Sequence, residues 1–350
     1  MKWLGMPLTR ACALACAVTC SLACTLVWAQ PRPQLSDADA ARTQTADYLA
    51  QGGSPWQPAS LNDSSTWRAD FTVAADGSAT HRTVQSALDA LPARSQSERR
   101  FYIHIKPGTY REVVCVRNKA PFTLYGSSAD AAATVIVEGR YNAQAKRSAL
   151  DAANPCNANL AAATVGTAGS ASVALFSDDV QLAHFTISND AMNAVRQDLG
   201  YPEGVGESGG SQAVALMTQG DRLQMENMRL LGHQDTYYAR RAAGAAGRVY
   251  MRNSFISGDV DFIFGNATLV IDNCTVLSRA GRRAASNGGH VLAPSTAANE
   301  RLGFLVINSR FLAEPGVEAD TISIGRAWDM GCGAWYLADG RFAQRPGRRA

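Results

Sequence analysis

Three short segments carry side chains that together could hydrolyse an ester. Gln212-Ala213-Val214-Ala215-Leu216 supplies an amide. Gly232-His233-Gln234-Asp235-Thr236-Tyr237-Tyr238 supplies an amide beside a carboxylate. Gly258-Asp259-Val260-Asp261-Phe262-Ile263-Phe264-Gly265-Asn266-Ala267 supplies a second carboxylate against an apolar run. Gln212, Asp235 and Asp261 are spaced by 23 and 26 residues. If each interval is one coil of a stacked structure, the three side chains project from rungs roughly 4.8 Å apart onto one face. Two carboxylates that close cannot both ionise freely. One is expected to stay an anion that attacks or activates water, the other to keep a proton that it can give away. Neighbouring amides can donate to a developing oxyanion. Such a set suits ester hydrolysis through a carboxylate nucleophile. The plainer alternative is that both aspartates are turn residues. Against it, Phe262-Ile263-Phe264 would part-bury Asp261, and a buried carboxylate needs a compensating partner.

The elements that must hold these residues read as strands. Apolar runs of strand length recur at Phe101-Tyr102-Ile103-His104-Ile105, Thr134-Val135-Ile136-Val137, Val173-Ala174-Leu175-Phe176, Val214-Ala215-Leu216-Met217, Leu269-Val270-Ile271 and Phe304-Leu305-Val306-Ile307. Each is bounded by Gly, Asn, Asp or Ser. One helix is signalled, capped by Thr83, running from Val84 to Leu91 and stopped by Pro92. An Asn followed three residues later by an apolar residue repeats at Asn227…Leu230, Asn253…Ile256, Asn273…Val276 and Asn308…Phe311. The intervals of 26, 20 and 35 residues fit a parallel β-helix with one longer insertion. A β-sandwich with coincidental Asn turns is the alternative.

The ends read differently from the middle. Lys2 and Arg10 precede an apolar stretch from Ala11 to Trp28, and Val27-Trp28-Ala29 resembles a small-residue cleavage site. Residues 1–29 are therefore expected to be a secretory signal peptide. Ser21-Leu22-Ala23-Cys24 is a loose lipoprotein box, the rival reading, which would anchor Cys24 in the outer membrane. Residues 30–68 read as an arm or tether, 69–330 as the solenoid, and 331–350 as an irregular tail. An Arg/Gly/Pro tail is a poor cover for a solenoid end, so a truncated last coil is the expectation there. Export implies an oxidising compartment. Cleavage after Ala29 leaves Cys115, Cys156, Cys274 and Cys332, which allow three pairings. Cys115–Cys156 is the expected one, clamping the loop between them.

Composition excludes several classes. With 46% hydrophobic and 18% charged residues, the 350-residue chain is neither disordered nor collagen-like. A net charge of +3 gives no electrostatic case for nucleic acid. Five His and no zinc-finger spacing make a zinc module unexpected.

At these three segments the sequence resembles the pectin methylesterase family, in its bacterial envelope-associated branch. Val260-Asp261-Phe262-Ile263-Phe264-Gly265 matches the family signature, and the Gln212 and Gln234-Asp235-Thr236 segments match the two preceding blocks. Gly325-Arg326-Ala327-Trp328 matches a Gly-Arg-Pro-Trp block with Ala for Pro. Asp76-Gly77 with Thr83-Val84-Gln85-Ser86-Ala87, and Pro107-Gly108-Thr109-Tyr110-Arg111-Glu112, match the opening blocks. The resemblance implies an all-β fold, a right-handed parallel β-helix with a short N-terminal helix. It also implies removal of methyl esters from pectin galacturonate with no metal or cofactor, by a monomer that is secreted, periplasmic or outer-membrane anchored. By resemblance, Asp261 is the nucleophile and Asp235 the acid and then the base. Gln212 and Gln234 are the oxyanion donors, and Arg326 holds Asp261 as an anion. Thr109, Tyr238, Phe264 and Trp328 are the implied substrate contacts.

Rival readings keep the fold and change the activity: a thioesterase-like paralogue, or an inactive carbohydrate-binding remnant. Gly206-Glu207-Ser208-Gly209-Gly210 fits the Gly-x-Ser-x-Gly pattern but follows a Pro/Gly loop, so a loop is expected there. His233 is expected to be a solvated neighbour of the site.

Overall fold

The computed structural model describes residues 36–41, 43–126, 130–146, 154, 156, 161–196, 199–207, 209–297 and 299–328, with the backbone of Trp335–Ala338 and Arg341–Gln344. Short parallel strands wind through three sheets of eight, seven and seven strands among the described residues. Successive coils give one strand to each sheet, and every strand but the terminal ones of each sheet pairs with its counterparts one coil before and one after. In the first sheet, for example, Leu223–Glu226 pairs with Val180–Ala183 and Arg248–Arg252. This is the expected right-handed parallel β-helix.

The register explains the apolar alternation. Side chains pointing inward stack on identical positions of the next coil, as in Ile136–Ile187–Leu230–Ile256–Val276, all at most 1% exposed. A second ladder, Leu124–Leu182–Met225–Met251–Ile271, faces it across the core. Burying each such side chain is worth about 1.5–3 kcal/mol. The repeated asparagines mark the turn between these two sheets. Asn227, Asn253, Asn273 and Asn308 all adopt left-handed φ, between 50° and 54°. Asn tolerates that region because its short amide bonds locally. Here the amides also bond along the stack: Asn273 Nδ2 donates to Asn253 Oδ1 at 2.7 Å, and Asn308 Nδ2 to Asp272 Oδ1 at 2.8 Å.

The helix forms over Val84–Asp89, with the Thr83 hydroxyl accepting from Ser86 N. Val84, Ala87 and Leu88 join the core, so the helix covers the first coil. Cys115 and Cys156 are disulfide-bonded, as expected, while Cys274 is free and buried. Residues 1–29, expected to be a signal peptide, and Cys332 lie outside the described residues.

Of the arm or tether expected at residues 30–68, the described residues between 36 and 68 form an arm, a strap docked on the first sheet. Tyr48 and Leu49 pack with Tyr250, Val270 and Leu302, and Leu61 packs with Tyr125 and Ala183. Polar contacts fasten the strap between these anchors. The fully buried Glu226 carboxylate accepts from Leu61 N at 2.6 Å, and Arg248 donates to the carbonyls of Leu49 (2.8 Å) and Ser54. The Pro/Ser/Asp composition concealed widely spaced apolar anchors. Within 331–350, read as irregular, the backbone pairs Trp335–Ala338 with Arg341–Gln344 as antiparallel strands.

Candidate active site

The functional side chains sit where the third sheet turns into the second. Gln212 precedes strand Leu216–Gln219, Gln234 and Asp235 precede Tyr237–Arg240, and Asp261 precedes Ile263–Gly265. Backbone bonds hold these turns in register: Ala213 N donates to Gln234 O (3.0 Å), Asp235 N to Val260 O (3.0 Å), and Asp261 N to His290 O (2.7 Å). Both aspartates adopt left-handed φ, 67° at Asp235 and 47° at Asp261. Non-glycine residues held there mark turns that the surrounding structure over-determines, as at active sites.

Around them lies an open cleft of about 430 Å³. Gln212, Gln234, Asp235 and Asp261 line it together with Arg326 and the aromatic residues Tyr238, Phe264 and Trp328. Tyr238 and Phe264 occupy the same register position on neighbouring strands and stack at 4.2 Å, and Trp328 follows at 5.5 Å from Phe264. All the expected residues converge here except Thr109. That residue is exposed on strand Gly108–Arg111 of the third sheet and does not line the cleft. The threonine on the cleft is Thr167, from a segment between strands Thr134–Glu138 and Val173–Phe176. Asn142 fastens this wall, donating from its backbone to Gln212 O (2.8 Å) and from its side chain to Thr167 Oγ1 (2.9 Å).

The two carboxylates differ in partners. Asp261, 1% exposed, receives Arg326 Nε on Oδ1 at 2.8 Å and Nη2 on Oδ2. That two-point charge-assisted contact raises the guanidinium pKa and gives the buried carboxylate an ion-pair partner. Asp235, 3% exposed, has no hydrogen-bond partner on its Oδ1 among the described residues. Burial first, then the charges of Asp261 and Asp259, push its pKa well above the usual carboxylate range. One acid is thus ion-paired and its neighbour is set as a proton carrier.

Below the cleft lies a buried polar layer that the motifs did not reveal. Asp259 pairs at two points with Arg282, both contacts at 2.6 Å, and Arg282 Nη1 reaches Ser211 Oγ at 3.2 Å. Burial pushes the Asp259 pKa up, but the bonds from Arg282 and His233 hold it below the usual range. His233 is 1% exposed, not solvated as expected, with Nδ1 3.2 Å from Asp259 Oδ2. Burial depresses its pKa despite that partner. Ser208 lies outside the described residues, and Gly206 and Gly209 bridge each other within a loop.

The profile of the Pectinesterase family matches residues 70–179 and 161–330. The chain belongs to the pectinesterase family. It is 38% identical over 310 residues to a pectinesterase of Ralstonia solanacearum, covering 86% of this chain and 75% of that one. Among solved structures, pectin methyl esterase of the rice weevil superposes with a TM-score of 0.70 at 31% identity, covering 86% of this chain and 79% of that one. A pectin methylesterase in complex with a hexasaccharide superposes with a TM-score of 0.62 at 27% identity, covering 77% and 75%. Family membership makes the chain a carboxylic ester hydrolase.

Proposed function

We propose that the chain removes methyl esters from pectin galacturonate, releasing methanol. The observation that carries this reading is the asymmetry of two buried carboxylates on adjacent coils: Asp261 gripped by Arg326, Asp235 without an ion pair among the described residues. Asp261 attacks the C6 carbonyl carbon, and the oxyanion that forms is met by the amides of Gln212 and Gln234. As the tetrahedral centre collapses, the C–O bond to the methoxy group breaks and the Asp235 proton passes to it, giving methanol and an acyl-enzyme anhydride. Asp235, now a carboxylate, takes a proton from water as the water oxygen attacks the same carbonyl. Collapse returns Asp261 as the anion and galacturonate as the acid. Ester and water give acid and methanol, and both aspartates end as they began. The stacked Tyr238 and Phe264, with Trp328, offer faces to sugar rings. The hexasaccharide-bound relative supports a polysaccharide substrate.

The reading includes export of a monomer, with residues 1–29 removed or Cys24 lipid-anchored to the outer membrane. The Cys115–Cys156 disulfide supports an oxidising destination. Mass measurement of the mature N-terminus separates the two forms.

The deciding assay is methanol release from methylated pectin. Wild type is expected to be active and Asp261→Asn inert, since an amide cannot replace the nucleophile. Activity on acyl-CoA with none on pectin would move the assignment to a thioesterase.

A further inference from the structure

We infer that Ser211, Arg282 and Asp259 form a positioning relay that fixes the Gln234 amide with its NH2 group toward the ester carbonyl. The direction of the relay follows from what each group can do. An arginine guanidinium only donates, so Ser211 Oγ must accept from Arg282 Nη1 at 3.2 Å. The hydroxyl keeps its own proton to give, and among the described residues the acceptor it reaches is Gln234 Oε1, 2.6 Å away. The NH2 group is left for the cleft that Gln234 lines. An amide turned the other way would leave the buried Ser211 proton without that acceptor and set a carbonyl oxygen against the growing oxyanion. The first costs a lost buried hydrogen bond and the second is repulsive, so the relay favours one orientation of an otherwise two-fold choice.

Asp259 fixes the source of the relay. Its carboxylate holds Arg282 Nε and Nη2 at 2.6 Å each, which sets the guanidinium plane and aims Nη1 at Ser211. His233 Nδ1 at 3.2 Å from Asp259, and its Nε2 at 3.0 Å from Asn193 Oδ1, brace the other side. Ser211 is fully buried, and Asp259 and Arg282 are 3% and 4% exposed, so water does not compete for these contacts. None of the three lines the cleft, so they act through Gln234.

The test is a double-mutant cycle on methanol release from methylated pectin, and its kinetic arm rests on the activity proposed above. Ser211→Ala is expected to lower kcat about 10- to 100-fold with KM little changed, approaching the loss of an oxyanion donor. In a Gln234→Ala background the same substitution should change kcat by less than about twofold, because the residue it acts through is gone. Equal losses in both backgrounds, or no loss in either, overturn the relay. If Ser211→Ala does not fold, Asp259→Asn takes its place, since an amide cannot present two acceptors to Arg282. The same outcomes apply.

A wild type inert on esters would sink the activity and leave the relay to be decided by NMR. The Gln234 side-chain 15N–H2 signal, assigned by its loss in Gln234→Ala, should be one sharp pair in wild type. It should move or double in Ser211→Ala or Asp259→Asn. An unchanged signal in the folded variant overturns the relay.

Discussion

Arg326 meets Asp261 edge to edge, Nε to one carboxylate oxygen at 2.8 Å and Nη2 to the other, across a sequence separation of 65 residues. The contact fixes the plane of the carboxylate as well as its charge. A lysine would supply charge without the fork. Arg326→Lys should therefore lower kcat about tenfold and Arg326→Met about a hundredfold. Steady-state methanol release checks both, and equal activity of Lys and Arg would show that charge alone suffices.

Asp235 must hold a proton to release methanol, and its pKa is raised by burial and by Asp261 and Asp259. Activity should fall as pH rises through that raised value, giving an alkaline limb. Asp235→Asn should remove at least about a hundredfold of kcat. A pH–rate profile of the wild type reads the limb directly.

The same shift has a stability consequence. A carboxyl whose pKa is higher folded than unfolded favours the native state most below the unfolded value. That contribution is lost as pH rises through the folded value. Above it, the wild type keeps a buried anion without an ion pair among the described residues. Asp235→Asn should then melt higher than wild type by roughly 2–4 °C, and the gap should close toward acid pH. Thermal melts at several pH values test this, and a lower melting point at every pH contradicts it.

Reducing Cys115–Cys156 should act on binding more than on chemistry. The bond spans 41 residues and ties the segment carrying Thr167 and Ala168 to strand Val114–Arg117. Cys156→Ser is expected to raise KM several-fold with kcat nearly unchanged, and to cost about 2–4 kcal/mol of stability. Kinetics and denaturant melts of that variant are the check, and an unchanged KM would separate the wall from the substrate.

Gly265 has φ 118°, and a Cβ there would lie 2.0 Å from the carbonyl oxygen of Ala239 on the neighbouring coil. Gly265→Ala should cost at least about 2 kcal/mol and displace Phe264 from its stack with Tyr238. Loss of melting temperature with weaker pectin binding is the expected pair of results.

Much of the fold is legible in the sequence because a solenoid writes its geometry as spacing. Asn227, Asn253, Asn273 and Asn308 signal coils by their recurrence alone, since left-handed turns select Asn once per coil. Gln212, Asp235 and Asp261 can be placed on one face because the interval between them equals one coil. What escapes lies off that period. Thr109 belongs to a matching motif yet faces solvent on another sheet, while Thr167 reaches the cleft from an insertion with no repeat to index it. Ser211, Asp259 and Arg282 meet through side chains on different coils, and no local pattern announces such a meeting. The strap escapes because Leu49, Leu61 and Trp67 are too sparse to show periodicity, although each finds an apolar partner on the first sheet.

The coil-by-coil register carries a consequence for how such a chain can change length. Between Gln212 and Arg326, duplicating or losing one turn of the winding would slide one reacting group past its partner by about 4.8 Å, beyond hydrogen-bond reach. Outside that stretch the same event would leave every reacting distance intact and only lengthen or shorten the body. The enzyme therefore has a stretch whose number of turns cannot vary, preceded by turns whose number can. Engineers seeking a longer binding track should add material before Ser211 and leave the count between Gln212 and Arg326 alone.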